Sequence, residues 1–290
     1  MVCEGPRPGV PWLTLLRGAA LETGWATVRL AGMPLDLAAR GARQVAGWLG
    51  GEHEAPPLDC AGVSDVPVIF VHGLADRASI FSRLRGGLRD CGAGPLLTAS
   101  YNTYHPDIPT AARELGEQVA EVRRLTGGRP VCLVGHSLGG LIARYYVQRL
   151  GGDTRVPLVI TLATPHGGTA MAQWTPVYPL LRQLCPGSTL LAELDEPCAG
   201  CRTRFVCFYS DLDEAVVPAS RARLDHPDLR TRNVLVHGVG HLMLPLHQPV
   251  IDEVRAVLTE LTELTVAGRR RRGTTSVAGV TRARAAGDDG

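Results

Sequence analysis

The hexapeptide Gly135-His136-Ser137-Leu138-Gly139-Gly140 constrains this chain more than any other stretch, because of what stands on either side of it. Residues 130–135 form an apolar run of strand length, and Leu138, Leu141, Ile142 and Tyr145 then recur at helical spacing. A strand that becomes a helix within so few residues crowds its own backbone, so glycines must flank the serine. The same turn lifts the hydroxyl clear of the sheet. It also points the Leu138 N–H and the positive end of the helix at whatever the hydroxyl attacks. A bare G-x-S-x-G can be an ordinary glycine-rich turn; the strand before it and the helix after it favour a reactive serine.

The rest of the chain repeats this alternation. Short apolar runs at 66–71, 95–100, 130–135, 156–162, 205–209 and 233–236 are expected to be strands. Helical periodicity is expected over 78–90, through Leu115, Val119, Val122 and Leu125, after Ser137, near 180–184 and 190–194, and in a last helix. That last helix carries Val250, Ile251, Val254, Val257, Leu258 and Leu261 on one face. Unbroken apolar strands alternating with helices imply an α/β fold, a mostly parallel sheet covered on both faces. With 45% hydrophobic residues among 290, the chain can fill such a core.

Three regions follow from composition. Residues 1–57 are an amphipathic helical segment, with Trp12, Leu15, Leu16, Ala19, Trp25 and Val28 as its apolar members, followed by a polar linker from Gly50 to Pro57. Residues 58–265 hold the α/β domain, with a less regular, lid-like insertion at about 166–197. Residues 266–290 are a Gly-, Arg- and Ala-rich tail containing the run Arg269 to Arg272, expected to be disordered.

A serine hydroxyl is a poor nucleophile at neutral pH and needs a base within hydrogen-bond reach. Asp213 lies just beyond the strand at 205–209, and His241 just beyond the strand at 233–236. Both therefore belong at strand C-terminal ends, where ligands gather in open α/β sheets. The order serine, acid, histidine assigns Ser137 as nucleophile, His241 as base and Asp213 as the acid that orients it. Asp211 is the main rival acid, Asp225 and Asp228 weaker ones, and His237 the rival base. His72-Gly73-Leu74 follows the first strand, where a second oxyanion donor belongs. The backbone amides of Leu74 and Leu138 are the expected pair.

Taken together, Val71-His72-Gly73, the Gly135–Gly140 hexapeptide, Thr164-Pro165-His166-Gly167-Gly168 and the Asp213 and His241 segments resemble the α/β-hydrolase superfamily, and within it the bacterial lipase and esterase branch. The likeness spans roughly residues 62–262. It implies the α/β-hydrolase fold and hydrolysis of carboxylic esters, often with long acyl chains, without a cofactor. In related lipases the stretch from His166 to Pro197 carries a lid. Its apolar residues, among them Met171, Trp174, Tyr178 and Leu181, are expected to contact a lipidic or apolar ester, with ordinary packing as the alternative. Acyl transfer and thioester hydrolysis use the same three residues. A non-catalytic member of the fold would be expected to lack one of them.

Other classes lose ground. All 30 basic side chains are arginine, which excludes a Walker A lysine and a Schiff-base lysine. A net charge of +2 implies no nucleic-acid partner. Cys132 and Cys207 sit in apolar runs and should be core residues. Cys198 and Cys201 form one C-x-x-C that no second C-x-x-C or nearby His completes, so a local disulfide or two free thiols is expected, with Cys185 keeping a metal site open. His237 and His241 are four apart, but glycines at 238 and 240 oppose a helix that would align them for a metal. Neither a metal nor a cofactor is therefore expected. No cleavable signal peptide is recognisable, because Arg17, Glu22 and Arg29 interrupt the apolar N-terminus. Cytoplasmic residence is the expectation, and the amphipathic N-terminus permits peripheral membrane contact.

Overall fold

The computed structural model describes residues 66–74, 78–89, 94–99, 101, 107–174 and 179–265. The N-terminal segment expected to be helical, its linker and the arginine-rich tail lie outside these residues.

Six strands form one sheet: β1 (Val68–Val71), β2 (Leu96–Thr98), β3 (Cys132–His136), β4 (Leu158–Leu162), β5 (Arg204–Ser210) and β6 (Arg230–Val236). Their spatial order is β2-β1-β3-β4-β5-β6, and every neighbouring pair is parallel. The helices are α1 (Ser82–Gly87), α2 (Ile108–Leu125), α3 (Leu138–Arg149), α4 (Pro179–Gln183), α5 (Thr189–Asp195) and α6 (residues 248–265). A parallel pair needs a crossover, and helices on the two faces supply it.

Strand alternation sorts the apolar residues into two cores. Ile69, Val71, Leu133, Val159, Phe205 and Cys207 face α2 and α3, which contribute Leu115, Val119, Leu141 and Ile142. Val68, Phe70, Cys132, Val134, Ile160, Val206 and Phe208 face the other way, toward Leu84 of α1 and Val250, Val254 and Leu258 of α6. Burying each such side chain contributes roughly 1.5–3 kcal/mol. The α/β expectation holds, as do both core cysteines. Val68–Val71 and Leu158–Leu162 begin two residues later than expected, just after Pro67 and Pro157, since proline has no N–H for the ladder. β6 begins three residues earlier, at Arg230. It is an edge strand whose first residues, Arg230, Thr231 and Arg232, are polar and carry no apolar signal.

The irregular stretch after β4 contains a 3₁₀ turn at Ala170–Trp174 and then α4 and α5. Ala172, Leu180, Leu184, Leu190, Leu191 and Leu194 from it are all buried in the α2–α3 core. Much of its apolar content is thus ordinary packing. Among the described residues no helix is long and apolar enough to cross a membrane.

Because all six strands run the same way, the segments that follow them emerge at one edge. Those segments begin at His72, Ala99, Ser137, Ala163, Asp211 and His237.

Candidate active site

Ser137 occupies the tight corner between β3 and α3, with φ 53° and ψ −124°. A non-glycine residue there is strained and persists only because its surroundings hold it. The Ser137 N–H donates to the Leu162 carbonyl at 2.9 Å, tying the corner to β4. The flanking glycines are required by space. A Cβ on Gly135 would lie 2.5 Å from Gly140 Cα, one on Gly139 2.0 Å from the Val71 carbonyl oxygen, and one on Gly140 1.9 Å from Thr164 Oγ1. Leu138 opens α3, and the first amides of a helix have no partner within it.

Asp213 and His241 meet. His241 Nδ1 lies 3.0 and 2.9 Å from the two Asp213 carboxylate oxygens. Their side chains are 8% and 0% exposed, so solvent screens the pair little. A carboxylate only accepts, so Nδ1 carries a proton and donates it to Asp213. Asp213 Oδ1 also accepts the Ala215 and Val216 amides at 2.9 and 2.8 Å, which fixes the carboxylate and solvates its charge.

His241 is joined to the serine corner through residue 136. The His136 ring packs against the His241 ring, centroids 5.0 Å apart, and His136 Nε2 donates to the His241 carbonyl at 3.1 Å. The residue just before Ser137 therefore positions the backbone of the histidine 105 residues later.

The rival acid and base pair with each other. His237 Nδ1 is 2.6 Å from Asp211 Oδ2, and the Gly238 N–H donates to Asp211 Oδ1 at 2.9 Å. At 53% and 39% exposure this pair is a solvated link between the ends of β5 and β6. Asp225 pairs with Arg223 on the surface, and Asp228 accepts the Cys198 amide.

Several residues that hold the site carried little sequence signal. Thr169 Oγ1 donates to the Ala215 carbonyl and accepts the Val217 amide, bracing the loop that carries Asp213. Arg144, on the buried face of α3, donates to the His166 and Leu194 carbonyls at 3.0 Å each and to Asp195 Oδ1 at 3.2 Å. Its one visible clue was an arginine within an apolar helix face. Burial first, and the Arg144 charge second, hold the His166 imidazole well below its ordinary pKa. The ring is neutral, with Nε2 3.1 Å from Thr161 Oγ1.

Beside the serine corner a narrow crevice, partly open to solvent, is lined by Leu74, Tyr101, Asp107, Ile108, Ala111, Leu138, Ile142 and Leu180. Both expected oxyanion residues, Leu74 and Leu138, border it. Of the residues expected to contact substrate, Leu181 packs on the core and Met171 is 49% exposed. The Trp174 side chain and Tyr178 lie outside the described residues.

At the opposite end of the strands, Cys198, His226 and Asp228 bring a thiol, a ring nitrogen and a carboxylate within 4.8 Å of one another. The Asp228 amide already donates to His226 Nδ1 at 3.1 Å, and His226 Nε2 donates to the Glu196 carbonyl at 3.1 Å. Cys198 and Cys201 are free thiols.

With this geometry in place, comparison with known proteins identifies the family. The palmitoyl protein thioesterase family model matches residues 67–220, more than half of the chain. The chain belongs to the palmitoyl protein thioesterase family. The match covers β1, the serine corner and the Asp213 loop and ends before His241.

Curated relatives include a triacylglycerol lipase of Burkholderia plantarii, 33% identical over 168 residues, covering 54% of this chain and 43% of the lipase. A GPI inositol-deacylase of Candida albicans is 47% identical over 124 residues, covering 35% of this chain and 31% of that protein. The chain thus spans less than half the length of these relatives. Among solved structures, a mature Bacillus licheniformis lipase superposes with a TM-score of 0.56 at 18% identity, over 69% of this chain and 95% of that one. The fold is the α/β-hydrolase fold, as the sequence resemblance implied.

Proposed function

We propose that this member of the palmitoyl protein thioesterase family is a serine hydrolase that cleaves carboxylic esters of apolar acyl groups. Ser137 Oγ attacks the carbonyl carbon while His241 Nε2 takes its proton, and Asp213 stabilises the resulting imidazolium. The Leu74 and Leu138 amides receive the oxyanion, each contributing roughly 3 kcal/mol to the transition state. His241 then protonates the leaving alkoxide, and the acyl group stays on Ser137. Water, activated by the same imidazole, releases the acid. The apolar crevice beside Leu74 and Leu138 takes the acyl chain.

The observation that carries this reading is the buried Asp213–His241 pair, whose histidine packs on the ring adjoining a strained serine corner. A fluorophosphonate probe is expected to label the wild-type chain and not Ser137→Ala. Labelling that survives in Ser137→Ala overturns the assignment. p-Nitrophenyl esters of increasing chain length are expected to be cleaved with a maximum beyond acetate.

Thioester hydrolysis is the second reading, and the family match favours it. The same residues serve, with a thiolate as leaving group. Acyl-coenzyme A or an S-acyl peptide, compared with the oxyester of the same chain, separates the two by kcat/KM.

A further inference from the structure

Just beyond β2, the Tyr101 phenol meets the loop that follows β1. Its hydroxyl donates to the His72 carbonyl oxygen at 2.5 Å and lies 3.4 Å from the Gly73 carbonyl oxygen. The Tyr101 and His72 rings stack, with centroids 4.7 Å apart and planes 21° apart. The His72 ring in turn reaches along its own loop, Nδ1 lying 3.0 Å from the Gly73 carbonyl oxygen. A carbonyl only accepts, so Nδ1 is the donor.

This linkage has a geometric consequence for the next residue. In a planar trans peptide the C=O and the following N–H point in opposite directions. The bond that fixes the Gly73 carbonyl therefore fixes the direction of the Leu74 N–H. Tyr101 holds both the ring that makes this bond and the carbonyl before it. Tyr101, Leu74 and Leu138 line the same crevice, so the phenol stands beside both residues whose amides are read as oxyanion donors. Burial raises the Tyr101 phenol above its ordinary pKa, so it stays a donor at neutral pH.

We propose that Tyr101 is a positioning residue for the oxyanion hole, clamping His72-Gly73-Leu74 so that the Leu74 amide is aimed before the oxyanion forms. The inference rests on the reading of Ser137 as nucleophile and of the Leu74 amide as a donor. Preorganised donors avoid reorganisation at the moment of reaction, which is why a second group that immobilises the loop affects rate.

Tyr101→Phe in the full chain keeps the stacked ring and removes only the hydroxyl. It is expected to lower kcat on a p-nitrophenyl ester on the order of tenfold or more, with KM within about twofold. The decisive readout is the rate ratio between an ester and its thionoester. Sulfur is the weaker acceptor, so a working oxyanion hole favours the oxygen substrate. The ratio is expected to shrink in Tyr101→Phe. It is taken within one preparation, so any loss of folded enzyme cancels. A wild-type ratio and wild-type kcat in Tyr101→Phe overturn the inference while leaving the Ser137 reading intact. A lower kcat with an unchanged ratio overturns it too, since that marks a structural role alone. A wild-type chain that neither cleaves esters nor takes the fluorophosphonate label removes the Ser137 reading, and this inference with it.

Discussion

The carboxylates of Asp211 and Asp213 leave β5 two residues apart and end with different histidines. Asp213 turns inward, accepts two amides of its own loop and meets His241 out of solvent. Asp211 remains at the surface with His237. Only the buried acid can hold an imidazole in one tautomer and stabilise its charged form without competition from water. Asp213→Asn is therefore expected to lower kcat by roughly 10³–10⁴-fold. Asp211→Asn is expected to change it by no more than about threefold, since exposed pairs contribute little. Steady-state kinetics of the two variants check the contrast; equal losses would mean that the acids share the role. The sequence placed both aspartates on the loop after β5 and assigned Asp213 as the acid, but two neighbouring carboxylates differ only in burial and partner, which one-dimensional pattern does not carry.

At the scale of elements, the serine corner works because three backbones converge on it. Gly139 sits against the Val71 carbonyl of β1, which cannot retreat without breaking the sheet. Gly139→Ala is expected to cost about 3 kcal/mol or to abolish soluble expression, as measured by denaturant unfolding. The neighbouring Thr164–Gly168 turn contains the buried, neutral His166. Its folded-state pKa lies below the unfolded value of 6.5, so the unfolded chain binds the extra proton. Stability is full above pH 6.5 and falls as pH drops below it, by up to about 1.4 kcal/mol per pH unit. Melting curves between pH 7.5 and about pH 5 are expected to show this decline, and His166→Gln to flatten it. The glycine corner was legible in the sequence because steric demand selects residue type. The start of β6 was not, because an edge strand with polar residues has no buried face to leave a pattern.

Across the whole molecule, Arg144 joins α3, the His166 turn and the end of α5 from a position only 1% exposed. Desolvation lowers its pKa, and its carboxylate partner Asp195 is largely in water, so the carbonyl bonds supply most of its compensation. Arg144→Met leaves the buried His166 carbonyl without its donor, while the Leu194 carbonyl keeps Gln148 Nε2 at 3.1 Å, and is expected to cost about 2 kcal/mol, a fall in Tm of several degrees by calorimetry. Local chemistry written along the chain determined the strand–helix alternation, the parallel sheet, the glycine-flanked serine and the loops holding Asp213 and His241. Each of those is imposed by periodicity or by backbone sterics within a few residues. Tertiary structure alone decided which acid met which histidine, that Leu180 rather than Leu181 borders the crevice, and that Tyr101, His136 and Arg144 brace the site. These are contacts between segments far apart in the chain, and their energies come from burial and hydrogen-bond geometry that exist only once the sheet has brought its strand ends to one edge.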